Sequence, residues 1–113
     1  MSVITTHVLD TSRGRPAANV DVVLETRAGA GWTVVGSGST DADGRLRTLL
    51  PPDVELTPGE YRLTFDTGRY FAFDDRPTLY PSIAIVFATE PGETHYHVPL
   101  LVAPFGYSTY RGS

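Results

Sequence analysis

The stretch Glu60-Tyr-Arg-Leu-Thr-Phe-Asp66 alternates apolar Tyr61, Leu63 and Phe65 with polar Arg62 and Thr64. Successive side chains of a strand point to opposite faces, so this segment is a strand with one dry face and one wet face, entered through a Pro58-Gly59 turn. The same signal recurs on both sides of it. Upstream, Asn19 to Arg27 sets Val20, Val22 and Leu24 on one side, Gly29-Ala-Gly31 turns the chain, and Trp32 to Thr40 returns as the hairpin partner. The turn Asp41-Ala-Asp-Gly44 delivers Arg45 ahead of a short strand, Leu46 to Leu50, which Pro51-Pro52 ends. Downstream, Thr67 to Asp75 has helical spacing at Tyr70, Phe71 and Phe73 and predicts a short helix confined by Pro77 and Pro81. Ile83 to Thr89 is the most continuously apolar strand and reads as central in its sheet.

At the start of the chain, Val3 to Leu9 is rich in β-branched residues, with Val3, Thr5, His7 and Leu9 on one face and Ile4, Thr6 and Val8 on the other. Asp10-Thr-Ser-Arg-Gly-Arg-Pro16 is a turn-forming cluster. Near the end, His95 to Ala103 reads as one strand carrying His95, His97, Pro99 and Leu101 on one face. Pro99 has no N–H to give a ladder and puts that part at a sheet edge. Tyr107 to Arg111 is the last strand, in a tail that reads as ordered. Seven or eight short strands separated by regular turn signals, with one short helix, make an all-β sandwich.

A length of 113 residues suits one domain spanning 1–113, able to bury roughly two-thirds of its unfolded surface without disulfide support. With no Cys there is neither a thiolate metal site nor a Cys nucleophile. Acidic residues outnumber basic ones 13 to 9, all of the latter Arg, for a net charge of −4, which argues against a nucleic-acid partner. Apolar runs such as Ile83 to Ala88 and Pro99 to Phe105 fall far short of a membrane span. The N-terminus lacks a basic start followed by an apolar block, and the chain ends Arg-Gly-Ser and not Ser-Lys-Leu, so a cytoplasmic location is expected.

The residues suited to chemistry are few. His occurs at 7, 95 and 97; three imidazoles without a carboxylate partner are a weak metal pattern, so acid-base chemistry with no metal and no cofactor is expected. There is no Gly-x-Ser-x-Gly elbow, and Gly36-Ser-Gly38 lacks the following helix that would make it a phosphate cradle. Taken singly, His95 reads as a solvated strand-end residue, and Arg45 and Arg111 as exposed strand-end arginines.

The run His95-Tyr-His-Val-Pro-Leu-Leu101 followed by Tyr107-Ser-Thr-Tyr-Arg-Gly-Ser113 resembles the transthyretin-like family, in its hydrolase branch. Thr6-His-Val-Leu-Asp10, Gly14-Arg-Pro16, Asp43-Gly-Arg45 and Gly59-Glu-Tyr-Arg62 occur in the family's order, so the likeness covers essentially the whole chain. The terminal Tyr-Arg-Gly-Ser is what separates the hydrolases from the hormone carriers of that fold. The resemblance implies a sandwich of two four-stranded sheets with one short helix, and a homotetramer whose central channel holds active sites at subunit interfaces. It also implies that His7, Arg45 and His97 are catalytic, that Tyr110 and Ser113 close the same pocket, and that the substrate is 5-hydroxyisourate, opened by amide hydrolysis. A non-catalytic ligand carrier using the same channel is the alternative, and a structural sandwich module without a polar constellation is a third class.

Overall fold

The computed structural model describes residues 3–113; the first two residues of the expected 1–113 domain lie outside the described residues. In chain order the elements are β1 (Val3–Asp10), β2 (Arg15–Pro16), β3 (Asp21–Ala28), β4 (Gly31–Ser39), β5 (Arg45–Leu46), β6 (Gly59–Phe65), α1 (Thr67–Ala72), β7 (Ile83–Thr89), β8 (His95–His97), β9 (Leu100–Ala103) and β10 (Gly106–Thr109). One sheet runs β4-β3-β6-β7. The other runs β10-β9-β1-β2, with β5 and β8 also paired to β1. Because β8 leads into β9 along one side of β1, and β5 and β2 take successive lengths of its other side, the six pieces fill four lanes. The two-sheet sandwich with one short helix is what the sequence predicts.

Period-two patterning builds the core. Ile4 and Val8 of β1, Val22 and Leu24 of β3, Leu63 and Phe65 of β6, and Leu100 and Val102 of β9 are buried between the sheets, joined by Phe71 from α1. Asp66 caps α1, its carboxylate accepting the Arg69 N–H at 3.2 Å.

The structure differs from the sequence reading in several places, each for a physical reason. Ile83 to Thr89 is the edge strand of its sheet and not the central one; it is apolar throughout because its outward positions, Val86 among them, are themselves apolar and stand exposed. The strand expected over His95 to Ala103 breaks at Val98 and Pro99 into β8 and β9, and it is interior: β1 lies on one side, β10 and Gly112 on the other. Pro99 occupies the break itself, where no ladder N–H is needed, and its carbonyl accepts the Thr109 hydroxyl at 2.7 Å. The strand expected over Leu46 to Leu50 pairs only at Arg45–Leu46; beyond it Leu49 and Leu50 turn into the core instead of forming a ladder. The helix stops at Ala72, short of Asp75, which adopts a left-handed φ of 55°. Asn19, at φ 61°, likewise delays the second long strand to Asp21.

Asp10, at the end of β1, is fully buried. Its Oδ2 accepts from Arg76 Nη2 and from the Tyr70 hydroxyl, both at 2.7 Å, and its Oδ1 accepts from the Ser12 hydroxyl at 2.6 Å and the Ser12 N–H at 3.1 Å. Burial alone pushes this carboxyl up, but the bonds from Arg76, Ser12 and Tyr70 outweigh it and hold the pKa at about 2. The same burial and the neighbouring carboxylate raise the Tyr70 hydroxyl to about 12. Because the folded-state value lies below the ordinary one, the stabilisation is complete above pH 4 and disappears as pH falls through 2. It amounts to about 2 kcal/mol. Denaturant unfolding of wild type and Asp10→Asn across that range is expected to show the wild-type advantage shrinking by this amount on acidification; an advantage independent of pH contradicts the assignment.

Candidate active site

β1 supplies His7, and the strands on its two sides supply the rest. On one side β5 pairs antiparallel, setting Arg45 opposite His7. On the other β8 pairs in parallel, setting His97 opposite Thr5 and His95 opposite Val3. The Arg45 position depends on the turn before it. Asp41 Oδ1 accepts the N–H groups of Asp43 and Arg45, each at 2.9 Å, and Gly44 at φ 75° passes so close to the Val8 carbonyl and Pro16 that a Cβ has no room.

Both candidate histidines have a defined partner. His7 Nε2 lies 2.9 Å from the Asp43 carbonyl oxygen. A carbonyl only accepts, so Nε2 carries the proton and donates it, which leaves the Nδ1 lone pair of neutral His7 available. His97 Nδ1 lies 2.7 Å from the Thr5 hydroxyl oxygen. The C-terminal tail holds the ring from the other side: the Gly112 N–H donates to the His97 carbonyl at 2.8 Å, and a Cβ on Gly112 would stand 2.5 Å from His97 Cδ2. Glycine at this place in Tyr-Arg-Gly-Ser is therefore a requirement of close packing. Burial, then the charges of Arg45, His7 and His95, depress the His97 pKa below its ordinary value and disfavour the imidazolium.

A cavity of about 280 Å³ is lined by Thr5, Arg45, Arg47, His95, His97 and Ser113. The structure thus gathers four of the five expected site residues: Arg45, His97 and Ser113 in the wall, and His7 beside Arg45. Tyr110 lies elsewhere within one chain, in a cleft of about 370 Å³ between β7 and the C-terminal segment, with Val86 and Tyr96. Three residues escaped the sequence reading. His95 is exposed, as expected, yet lines the cavity; Thr5 was placed on the His7 face without a role; Arg47 carried only the signal of standing two residues beyond Arg45. Arg111 ties the tail down, donating to the His95 carbonyl at 3.3 Å while its guanidinium stands 4.6 Å from the centre of the Tyr96 ring. Among the described residues no group of three or more His, Cys, Asp or Glu is placed to hold a metal ion, and no helix is long and apolar enough to cross a membrane.

Comparison with known proteins agrees over the whole length. The HIUase/Transthyretin family matches residues 4–112. A 5-hydroxyisourate hydrolase of Salmonella dublin is 45% identical over 112 residues, 99% of this chain and 82% of that protein. The structure of Klebsiella pneumoniae 5-hydroxyisourate hydrolase superposes with a TM-score of 0.86 at 40% identity, covering both chains completely. Sea bream transthyretin in complex with thyroxine superposes with a TM-score of 0.89 at 30% identity over 96% of this chain and 93% of that one. With the family match spanning nearly every residue and relatives this similar, the chain belongs to the HIUase/Transthyretin family.

Proposed function

We propose that the chain hydrolyses 5-hydroxyisourate in urate degradation, opening the ring to a ureido-imidazoline carboxylate. The observation that carries this reading is the register that sets His7 beside Arg45, itself part of the cavity wall, with the His7 Nε2 proton committed to the Asp43 carbonyl and Nδ1 without a partner among the described residues. The related Salmonella and Klebsiella proteins, named for this hydrolysis, support the substrate.

In this mechanism His7 Nδ1 takes a proton from water as its oxygen adds to the ring carbonyl carbon. The carbon–nitrogen bond then breaks, the leaving nitrogen receives a proton, and the acyl carbon stays in the opened product as a carboxylate whose proton passes to solvent. General-base action contributes about 10²- to 10⁴-fold, and a guanidinium aimed at the developing oxyanion a further 10²- to 10³-fold or so, the role assigned to Arg45. His97 is the second imidazole, protonating the leaving nitrogen or orienting the ring; the choice depends on which of its nitrogens bears the proton. Ser113 binds substrate from the cavity wall. No step draws on a metal or cofactor.

The working form is a homotetramer, and two features support it. β7 and β10 end their sheets among the described residues, and large apolar side chains stand in water nearby: Val86 is 53% exposed, Leu79 63% and Phe105 67%. Tyr110 joins a substrate cavity through that assembly. The alternative, a carrier of large apolar ligands, fits less well with a cavity walled by two arginines and two histidines. As a small-molecule enzyme the protein is assigned to the cytoplasm.

The test is the ultraviolet decay of freshly generated 5-hydroxyisourate. Wild type is expected to speed it by orders of magnitude, and a rate equal to buffer overturns the reading. His7→Ala and His97→Ala are expected to lower turnover at least 10²-fold or so and Arg45→Ala by about 10²- to 10³-fold, with native circular dichroism, while His95→Ala has a mild effect. Three folded variants at wild-type rate overturn the site.

The tail offers a separate check. Gly112→Ala is expected to displace the His97 ring and cut turnover by about tenfold or more, the worth of one well-placed hydrogen bond, without unfolding the sandwich. Deleting Tyr110 to Ser113 is expected to abolish hydrolysis in a folded chain. Activity per folded molecule equal to wild type in both contradicts a role for the tail at the site.

A further inference from the structure

We infer that the Thr5 hydroxyl fixes the tautomer of His97 with the proton on Nε2, so that His97 acts as a neutral hydrogen-bond donor to the substrate while His7 handles the proton transfers. Thr5 is thereby a positioning residue for the hydrolysis, and the inference rests on the proposed function of the same cavity.

The geometry is a 2.7 Å contact between Thr5 Oγ1 and His97 Nδ1, held in place by the parallel register that sets the two residues opposite each other and by the Val98 N–H donating to the Thr5 carbonyl at 2.9 Å. One proton is shared across the Oγ1···Nδ1 contact, and two arrangements are possible. If Nδ1 carried it, the hydroxyl would accept and its own hydrogen would need another acceptor. Thr5 Oγ1 has no second hydrogen-bond partner among the described residues, and Thr5 is only 9% exposed. A largely buried hydroxyl with no other protein acceptor in reach is satisfied when it donates to this one. Thr5 therefore donates to Nδ1, and the ring proton of neutral His97 resides on Nε2, which has no partner among the described residues and is free for substrate.

The chemistry follows. Arg45 and His7 face the His97 ring from β5 and β1, and His95 from its own strand. Burial together with these groups disfavours the imidazolium. A neutral imidazole that gave up its Nε2 proton would become an imidazolate, far too strong a base to form at neutral pH, so His97 cannot be the acid that protonates the leaving nitrogen. It can donate a hydrogen bond to a ring carbonyl and polarise it, as a neutral histidine electrophile does elsewhere. The proton on the leaving nitrogen then comes from His7, which took it from water at Nδ1. The balance is complete: water supplies hydroxyl to carbon and a proton, through His7, to nitrogen.

Long-range proton–nitrogen correlation NMR on the ¹⁵N-labelled full chain, at a pH where histidines are neutral, reads the tautomer without substrate. His97 is expected to show a protonated Nε2 and an unprotonated Nδ1. Thr5→Val, which keeps the shape and loses the hydroxyl, is expected to give a tautomer mixture and a kcat lower by about tenfold with KM less affected. Thr5→Ser is expected to restore both. A wild-type spectrum with the proton on Nδ1, a Thr5→Val spectrum and kcat equal to wild type, or a Thr5→Ser variant as impaired as Thr5→Val overturns the inference. Absence of any hydrolysis by wild type would count against the functional reading alone, since the spectrum still decides the tautomer.

Discussion

β1 is paired along both of its edges, and the site exists because of what those two sets of ladder bonds bring to it. On one side the Val98 N–H donates to the Thr5 carbonyl at 2.9 Å and the Thr6 hydroxyl to the Val98 carbonyl at 2.6 Å, locking β8 in parallel register. On the other the Val8 N–H donates to the Gly44 carbonyl at 2.7 Å, fixing the turn that carries Asp43 and Arg45. A one-residue slip on either side would turn the facing side chains to the opposite face of the sheet and dissolve the cluster. His7, Arg45 and His97 come from three separate parts of the chain, and β1 is the element common to them.

The same strand serves stability at its far end. Asp10 is closed off from water and compensated by Arg76, Tyr70 and Ser12, so an ionised carboxylate survives in the sandwich wall and ties α1 and the segment after it to β1. At the His7 end the electrostatics run the other way: burial and neighbouring positive charge disfavour the charged form of His97. One strand thus holds a charged group whose ionised form is favoured and faces an imidazole whose ionised form is disfavoured, the environments being set by which neighbours the two ladders supply.

Much of this was readable from sequence because alternation reports faces. It put Thr5 and His7 together, paired His95 with His97, and the Asp41-Ala-Asp-Gly44 turn located Arg45. Resemblance to a known family then joined residues that patterning alone could not connect. Lane order was not readable. Alternation is blind to which strands are neighbours, so the apolar run Ile83 to Thr89 reads as a sheet centre yet is an edge, and Pro99 reads as an edge marker yet sits in an interior break. For the same reason Thr5 had no role: its significance comes from a parallel partner more than ninety residues away. Tyr110 shows the other gap, since one chain puts it in a cleft apart from the His and Arg cavity.

The claim that β1 gathers these residues into one electrostatic unit can be measured directly by following the His97 ring in an NMR pH titration of wild type and Arg45→Ala. The expected result is a wild-type midpoint below 6.5, the ordinary histidine value, moving upward when the Arg45 charge is removed. A wild-type midpoint at or above 6.5 that Arg45→Ala leaves in place would contradict the account.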